Sequence, residues 1–127
     1  MVVDLSKNFS RYEFACKCGC GFDRVHPEIV QMVQEVRDEI GEPVVIASGC
    51  RCEAHNKRVG GVKDSAHTTG EAADIYVDGM RSEELGRIIR QMYHRGKLRP
   101  LTYCYRPGYR TVHIGRDRKP RKQIFNL

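Results

Sequence analysis

The sequence predicts an α+β fold in which helices pack on a small antiparallel sheet. Two stretches repeat apolar residues at helical spacing, and four shorter stretches have the apolar clustering or alternation of strands. These stretches succeed one another along 127 residues with no internal repeat and no low-complexity linker. A chain of this length can bury its own core, so we predict a single domain over residues 1–127.

Two helices are predicted. The first begins at Pro27, a residue suited to a first helical turn, and runs to about Ile40, where Gly41 ends it. The second begins near Ser82 and stops before Gly96. Each has one apolar face for the core. These faces consist of Ile29, Val33, Val36 and Ile40 in the first helix and Leu85, Ile88, Ile89 and Met92 in the second.

Four strands complete the predicted fold. In the second of them apolar and polar residues alternate, which turns Asp74 away from the core. A turn over residues 106–109 joins the last two strands into a hairpin and brings Tyr103 or Tyr105 towards the same side as Asp74. The strands cover residues 44–47, 74–78, 101–105 and 109–114.

Three side chains carry the chemistry that the sequence predicts. His67 and Asp74 flank Gly70, which permits a sharp turn, and His113 lies on the last predicted strand. Two imidazole nitrogens and one carboxylate oxygen hold a zinc ion while leaving its fourth position for water. A zinc-bound water has a pKa of about 7, so this set of ligands predicts a catalytic metal site.

The motifs around these residues resemble those of the M15 family of zinc peptidases, in particular its short, single-domain branch. That family has a fold shared with the hedgehog signalling domain, and it includes D-alanyl-D-alanine carboxypeptidases, L-alanyl-D-glutamate endopeptidases and phage endolysins. The resemblance covers almost the whole chain. It is carried by Phe14-x-Cys16-x-Cys18-Gly19-Cys20, Ser48-Gly49-Cys50-Arg51, His55-Asn56, Val59-Gly60-Gly61, Ser65-x-His67-x-x-Gly70-x-Ala72-x-Asp74 and Val112-His113.

The resemblance implies a zinc peptidase that hydrolyses peptidoglycan stem peptides. His67, Asp74 and His113 are then the zinc ligands, and Arg51 binds the substrate, since a guanidinium makes bidentate contacts with a carboxylate. Two hydroxyl groups are further candidates for substrate binding, because a hydroxyl can donate to a developing oxyanion. They belong to Ser65 and Tyr105.

One feature departs from the family's pattern. Members usually carry an acidic general base three residues before or two residues after the last histidine, and here Arg110 and Gly115 stand at those positions. We predict Glu71 as the substitute because it lies in the turn between two ligands, with Asp78 and Asp117 as the other candidates. The missing acid also motivates an alternative function, a non-hydrolytic, zinc-containing module that binds the cell wall.

Six cysteines need a separate explanation. Three of them alternate within a Cys-rich segment, residues 14–22, and would face the same side of an extended chain. With Cys50 or Cys52 they would form a second, structural zinc site; disulfides are an equal alternative, and free buried thiols are the third. Cys50 and Cys52 also flank Arg51 and would position it. The ligands we predict for the second zinc are Cys16, Cys18, Cys20 and Cys52.

Composition constrains the partners. The net charge of +6 and the pI of about 9.1 favour an acidic partner, and the basic tail over residues 116–127 concentrates part of that charge. Bacterial wall polymers are acidic, so we expect a peptidoglycan substrate, and a monomeric protein. A nucleic-acid partner is not expected, because the tail lacks interleaved aromatic residues. A cysteine-rich, nucleic-acid-binding zinc module is the third hypothesis, and it would place all the metal at the cysteines.

The apolar runs and the amino-terminal sequence indicate where the protein acts. No apolar run is long enough for a membrane span, so no membrane partner is expected, and the amino terminus lacks the pattern of a secretory signal. We expect the protein to act on the cell wall. A phage enzyme released through a holin pore and a mature form without its signal would both meet that expectation.

Overall fold

The computed structural model describes residues 4–117 and 123–127. In these residues three α-helices and five strands confirm the α+β class. Two single 3-10 turns, Arg11–Phe14 and Ala66–Thr69, complete the regular structure. The helices are Pro27–Ile40 (α1), Glu53–Arg58 (α2) and Ser82–His94 (α3), and the strands are Val45–Ser48 (β1), Ala72–Tyr76 (β2), Tyr103–Tyr105 (β3), Val112–Gly115 (β4) and Phe125–Asn126 (β5).

The strands form one sheet in the order β1-β2-β4-β3-β5. The pairs β1–β2, β2–β4 and β3–β4 are antiparallel, as predicted, and β3–β4 is the predicted hairpin. The pair β3–β5 is parallel, so the sheet as a whole is mixed. β5 lies at the outer edge of the sheet beside β3 and runs in the same direction as β3.

The two faces of the central strands carry different side chains. Ile75 of β2 and Ile114 of β4 are fully buried in the hydrophobic core. Because successive side chains of a strand alternate between faces, Asp74 and His113 lie on the opposite face, away from that core. The helices complete the core with apolar side chains that include Ile29, Val33 and Val36 of α1 and Leu85, Ile89 and Met92 of α3.

The end of the chain belongs to the fold. Within the segment predicted as a basic tail, residues 118–122 lie outside the described residues, whereas residues 123–127 contain β5. The ring of Phe125 meets that of Tyr93 edge-on at 5.4 Å between centroids, and the side chain of Leu127 lies over Gly86 of α3. None of the described helices is long and apolar enough to cross a membrane.

Candidate metal centre

His67 reaches the site from a short turn that leads into β2. The hydroxyl of Ser65 accepts a hydrogen bond from the His67 backbone N–H at 3.3 Å and so caps this turn. Gly70 then leaves the turn with φ of +71°, and a Cβ at Gly70 would lie 2.1 Å from the carbonyl oxygen of Arg24. Only glycine fits both the conformation and the space. The predicted sharp turn between His67 and Asp74 is therefore confirmed.

His113 reaches the site through strand pairing. In the antiparallel pair β2–β4, Asp74 lies directly opposite His113. The Oδ1 atom of Asp74 is 2.9 Å from Nδ1 of His113 and 3.2 Å from Nε2 of His67. The three residues are 9%, 3% and 2% exposed, so their polar atoms converge in a buried place. One ligand atom from each lies within 4.8 Å of the others, close enough to bind a single ion.

The outer nitrogen of each imidazole is also engaged. Nδ1 of His67 lies 2.7 Å from the carbonyl oxygen of Gly49, to which it donates. Nε2 of His113 lies 3.2 Å from Oδ1 of Asp117. These contacts hold the outer nitrogens and turn Nε2 of His67 and Nδ1 of His113 towards Asp74, where both nitrogens could bind a metal ion together with the carboxylate. Carbonyl and carboxylate partners of this kind orient metal-binding histidines.

The electrostatics of the site keep Asp74 ionised. Burial raises the pKa of this carboxyl group, but hydrogen bonds with His113 and His67 outweigh burial and hold the pKa well below its usual range. Burial lowers the pKa of His113, whereas its hydrogen bonds to Asp117 and Asp74 raise it, and the net shift is upward. A buried carboxylate facing two imidazoles is a donor set that suits a zinc ion.

A cleft of about 540 Å³ opens beside His113. Ser65, Glu71, Tyr105 and Asp117 contribute to its lining, so two of the predicted substrate-binding residues and two of the predicted acids share one cleft with a metal ligand. The ring of Tyr105 stacks on His113 at 4.7 Å between centroids. Burial, followed by the negative charge of Asp74, raises the pKa of the Tyr105 hydroxyl, which therefore stays a hydrogen-bond donor at neutral pH.

Arg51 lies on the other side of Asp74. Its NH2 group is 3.8 Å from Oδ2 of Asp74 and 3.3 Å from the hydroxyl of Ser48. Its NH1 group donates to Oδ1 of Asn56 at 2.8 Å, and Asn56 in turn donates to the carbonyl of Val62. Sequence reasoning missed the role of Asn56, because the His55-Asn56 motif by itself does not indicate a partner for Arg51. Its burial in the short helix α2 is what demands polar partners.

The three acids proposed as general bases occupy different environments. Glu71 is buried in the cleft, where it accepts from the hydroxyl of Thr69 at 2.8 Å and lies 3.6 Å from the guanidinium of Arg116. Asp117 lines the same cleft and contacts His113. Asp78 is exposed beyond the end of β2. Geometry therefore places two of the three acids at the site.

Asp117 fills the space beside Gly115. A Cβ at residue 115 would lie 2.1 Å from Oδ1 of Asp117, so the carboxylate stands where a side chain of residue 115 would project. At the other position where an acid was expected, the guanidinium of Arg110 lies 4.0 Å above the ring of Tyr76. Gly115 is the sequence signal for the placement of Asp117, since a glycine leaves room for the side chain of another residue.

Comparison with known protein families identifies a match. A family model described as Peptidase M15 matches residues 7–115. The matched region contains the three candidate metal ligands and Arg51, and it ends two residues before Asp117. No curated protein matches the chain.

Proposed function

The chain belongs to the peptidase M15 family, and from that premise we propose that it is a zinc-dependent hydrolase of peptidoglycan stem peptides. Membership itself implies a metallopeptidase that acts on a peptide. The finer proposal is supported by one observation above all: Nε2 of His67, Oδ1 of Asp74 and Nδ1 of His113 converge while the outer nitrogen of each imidazole is held by another group.

His67, Asp74 and His113 would hold the zinc. When bound, the ion would polarise the scissile carbonyl and activate the attacking water. Among the residues that the structure describes, this cluster offers three ligands and no fourth, which leaves room for both functions. Gly49 and Asp117 keep the two imidazoles turned towards Asp74, so the ligands are oriented before any metal arrives.

Substrate binding is assigned to Arg51, Tyr105 and Ser65. A guanidinium carries five N–H donors, and Asn56 and Ser48 accept from two of its groups, which leaves donors for a substrate carboxylate beside the metal. Tyr105 keeps its proton and lines the cleft, so it can donate to a developing oxyanion. Stem peptides offer both groups, a carboxylate and the carbonyl of the bond that is cut.

The proton acceptor is proposed on geometry. Asp117 contacts His113, lines the cleft and occupies the space of the residue two positions after the last ligand, one of the two positions where family members usually carry their acid. We therefore propose that Asp117 accepts the proton of the attacking water. Glu71, predicted from the sequence, is the second candidate, because it lines the same cleft although it is engaged by Thr69 and faces Arg116.

The positive charge supports a wall substrate. A net charge of +6 raises the local concentration of the protein at an acidic polymer. We propose that the protein acts on the cell wall as a monomer, without a nucleic-acid or membrane partner.

Purified peptidoglycan and synthetic stem peptides test this function directly. Wild type, His67→Ala and a control, His94→Ala, would be compared for bound zinc, release of new amino groups and masses of the products. His94 is an exposed residue at the end of α3, so its variant should behave as wild type. Loss of activity and of zinc only in His67→Ala supports the proposal, and the product masses separate release of a terminal D-alanine from cleavage inside the stem peptide.

A non-hydrolytic wall-binding module is the alternative, favoured by Arg110 and Gly115 at the positions of the usual acid. It predicts a wild type that binds zinc and sediments with peptidoglycan but releases no amino groups from any wall type. That result would contradict the hydrolase proposal and support the binding module.

A further inference from the structure

Four cysteines converge at a second place in the molecule. The sulfur atoms of Cys16, Cys18, Cys20 and Cys52 all lie within 4.8 Å of one another. All six cysteines fall in the described part of the chain, and each is a free thiol. Cys18 and Cys20 are exposed, Cys52 is half-buried and Cys16 is buried, so the cluster lies at the surface with one thiol on its inner side.

The backbone brings these thiols together. The Cys-rich segment is not the extended chain that we expected: the Cys16 N–H donates to Phe22, and the Gly19 N–H closes a turn onto the Cys16 carbonyl at 3.1 Å. A further hydrogen bond, from the Cys50 N–H to the Phe14 carbonyl at 2.8 Å, ties this segment to the loop before α2. The convergence therefore rests on main-chain contacts that are independent of the thiols.

The distances between the sulfurs fit a tetrahedral metal site. The Sγ atoms of Cys16 and Cys18 are 3.4 Å apart, and those of Cys18 and Cys52 are 3.6 Å apart. Zinc–sulfur bonds of about 2.3 Å in tetrahedral geometry place ligands about 3.8 Å apart. A disulfide requires about 2.05 Å and joins only two sulfurs, so it accounts neither for these separations nor for four thiols at one point.

We propose that Cys16, Cys18, Cys20 and Cys52 bind one zinc ion in a closed, structural site separate from His67, Asp74 and His113. Four thiolates complete the tetrahedron and leave no position for water, which is typical of a structural and not a catalytic zinc. Each thiol would release its proton to solvent as its sulfur binds the ion, with no change of oxidation state.

Main-chain N–H groups donate hydrogen bonds to two of the sulfurs. The Cys52 N–H lies 3.4 Å from the sulfur of Cys16, and the His55 N–H lies 3.4 Å from that of Cys52. Donors of this kind stabilise the negative charge of thiolate ligands. Because Arg51 precedes Cys52 and its own N–H donates to the His67 carbonyl at 2.9 Å, the second site would hold in place the loop that carries Arg51.

Metal content of the full chain tests the proposal. We expect two zinc ions in wild type and one each in His67→Ala and Cys18→Ser. Cys50→Ala is the matched control, since Cys50 lies in the same loop but in the hydrophobic core, and it should keep both ions. A single zinc in wild type that disappears in His67→Ala would overturn the proposal, and so would iron in place of zinc or a mass lowered by the hydrogens lost in a disulfide.

Cobalt substitution gives a readout that needs no cysteine variant. Cobalt bound to thiolates has strong near-ultraviolet charge-transfer absorption, whereas cobalt bound to two histidines and an aspartate lacks it. We expect this absorption in wild type and undiminished in His67→Ala. Its absence from both would overturn the cysteine site even if Cys18→Ser failed to fold. Since His67→Ala removes the proposed catalytic site, failure of the peptidase proposal and failure of this one are distinguishable.

Discussion

Asp74 and His113 lie directly opposite each other on two antiparallel strands, with Oδ1 of the aspartate 2.9 Å from Nδ1 of the histidine. Strand register alone produces this contact between residues distant in sequence. A shift of one residue would turn one of the two side chains into the core, so the apolar residues that alternate with them also secure the metal site. Ile75 and Ile114, both fully buried, carry out that function.

Asp74→Asn should abolish zinc binding at this site and with it the peptidase activity. The amide has nearly the shape of the carboxylate but no negative charge, and two imidazoles alone bind zinc poorly. Because loss of an outer partner of a ligand already lowers metal affinity by about 10- to 100-fold, loss of a ligand should exceed that range. Asp78→Asn is the control, since Asp78 is exposed. Zinc titration and peptide hydrolysis are the measurements, and an active Asp74→Asn would exclude Asp74 as a ligand.

Asp117→Asn and Glu71→Gln distinguish the two candidate bases. We expect Asp117→Asn to lower kcat by about 100- to 10,000-fold, the usual contribution of a general base, even when zinc is saturating. Because Asp117 also contacts His113, zinc affinity should fall in the same variant. Glu71→Gln should leave kcat within a few-fold of wild type.

Zinc-saturated kinetics separate the two roles of Asp117. Full recovery of kcat in Asp117→Asn at high zinc would reduce Asp117 to a positioning residue for His113. If in addition Glu71→Gln loses activity while retaining zinc, Glu71 is the base.

Local signals predicted α1, α3 and strands β1 to β4, but neither α2 nor β5, and only part of the site. Pro27 and Gly41 delimit α1 because proline favours a first turn and a left-handed glycine ends a helix, and both effects act within a few residues. The alternation of apolar and polar residues around Asp74 correctly predicted the face of the strand on which Asp74 lies, because this signal is also confined to a few residues. The parallel pairing of β5 with β3 joins residues distant in sequence, and no short sequence pattern encodes it.

The cysteines show most clearly which features of a site the sequence could not predict. Their spacing predicted either a shared metal or disulfides, and the structure brings four thiols together, but through a turn closed at Gly19 and not through an extended strand. The choice of Cys52 over Cys50 depends on the loop before α2, which buries Cys50 in the core. The contact of Asp117 with His113 is likewise a matter of packing, visible in the sequence only as a glycine at position 115.

Arg51→Lys should raise KM far more than it lowers kcat. Lysine keeps the positive charge but loses the planar donors that match a carboxylate and that bind Asn56. Loss of a charge-assisted hydrogen bond costs about 1.5–3 kcal/mol, which corresponds to about a 10- to 150-fold increase in KM. Arg58→Lys, on the exposed side of α2, is the control. Steady-state kinetics on a stem peptide measure the effect, and an unchanged KM would show that Arg51 does not bind the substrate.

Removal of metal should destabilise the protein at both sites. A ligand present at about 1,000 times its Kd stabilises the native state by about 4 kcal/mol, which in a domain of this size corresponds to about 10–20 °C in Tm. We therefore expect a strong chelator to lower the Tm of wild type by at least about 10 °C. In His67→Ala a smaller decrease should persist because of the cysteine site. Calorimetry with and without chelator, and again after zinc is added back, measures the Tm decrease in both proteins. A wild-type Tm that does not change with chelator would contradict metal binding to the native state.

Moving the carboxylate from residue 117 to residue 115 is the strictest test of its role. Asp117→Gly should lose activity as Asp117→Asn does. The double variant Gly115→Asp with Asp117→Gly should have a kcat at least about tenfold above that of Asp117→Gly, because the new side chain enters the space that Asp117 vacates. This is part of the 100- to 10,000-fold that a general base contributes. Gly115→Asp alone should not gain activity, since its Cβ would lie 2.1 Å from the Asp117 carboxylate and must displace it.

The recovery in that double variant should be partial. A Cβ at residue 115 also lies 2.9 Å from Nε2 of His113, so the imidazole has to shift slightly and its metal geometry with it. Kinetics at saturating zinc, with zinc content measured on the same samples, separate this shift from the proton transfer. If the double variant binds zinc but is no faster than Asp117→Gly, the carboxylate beside Gly115 is not the base, and the proton must pass to another group in the cleft, of which Glu71 is the first to examine.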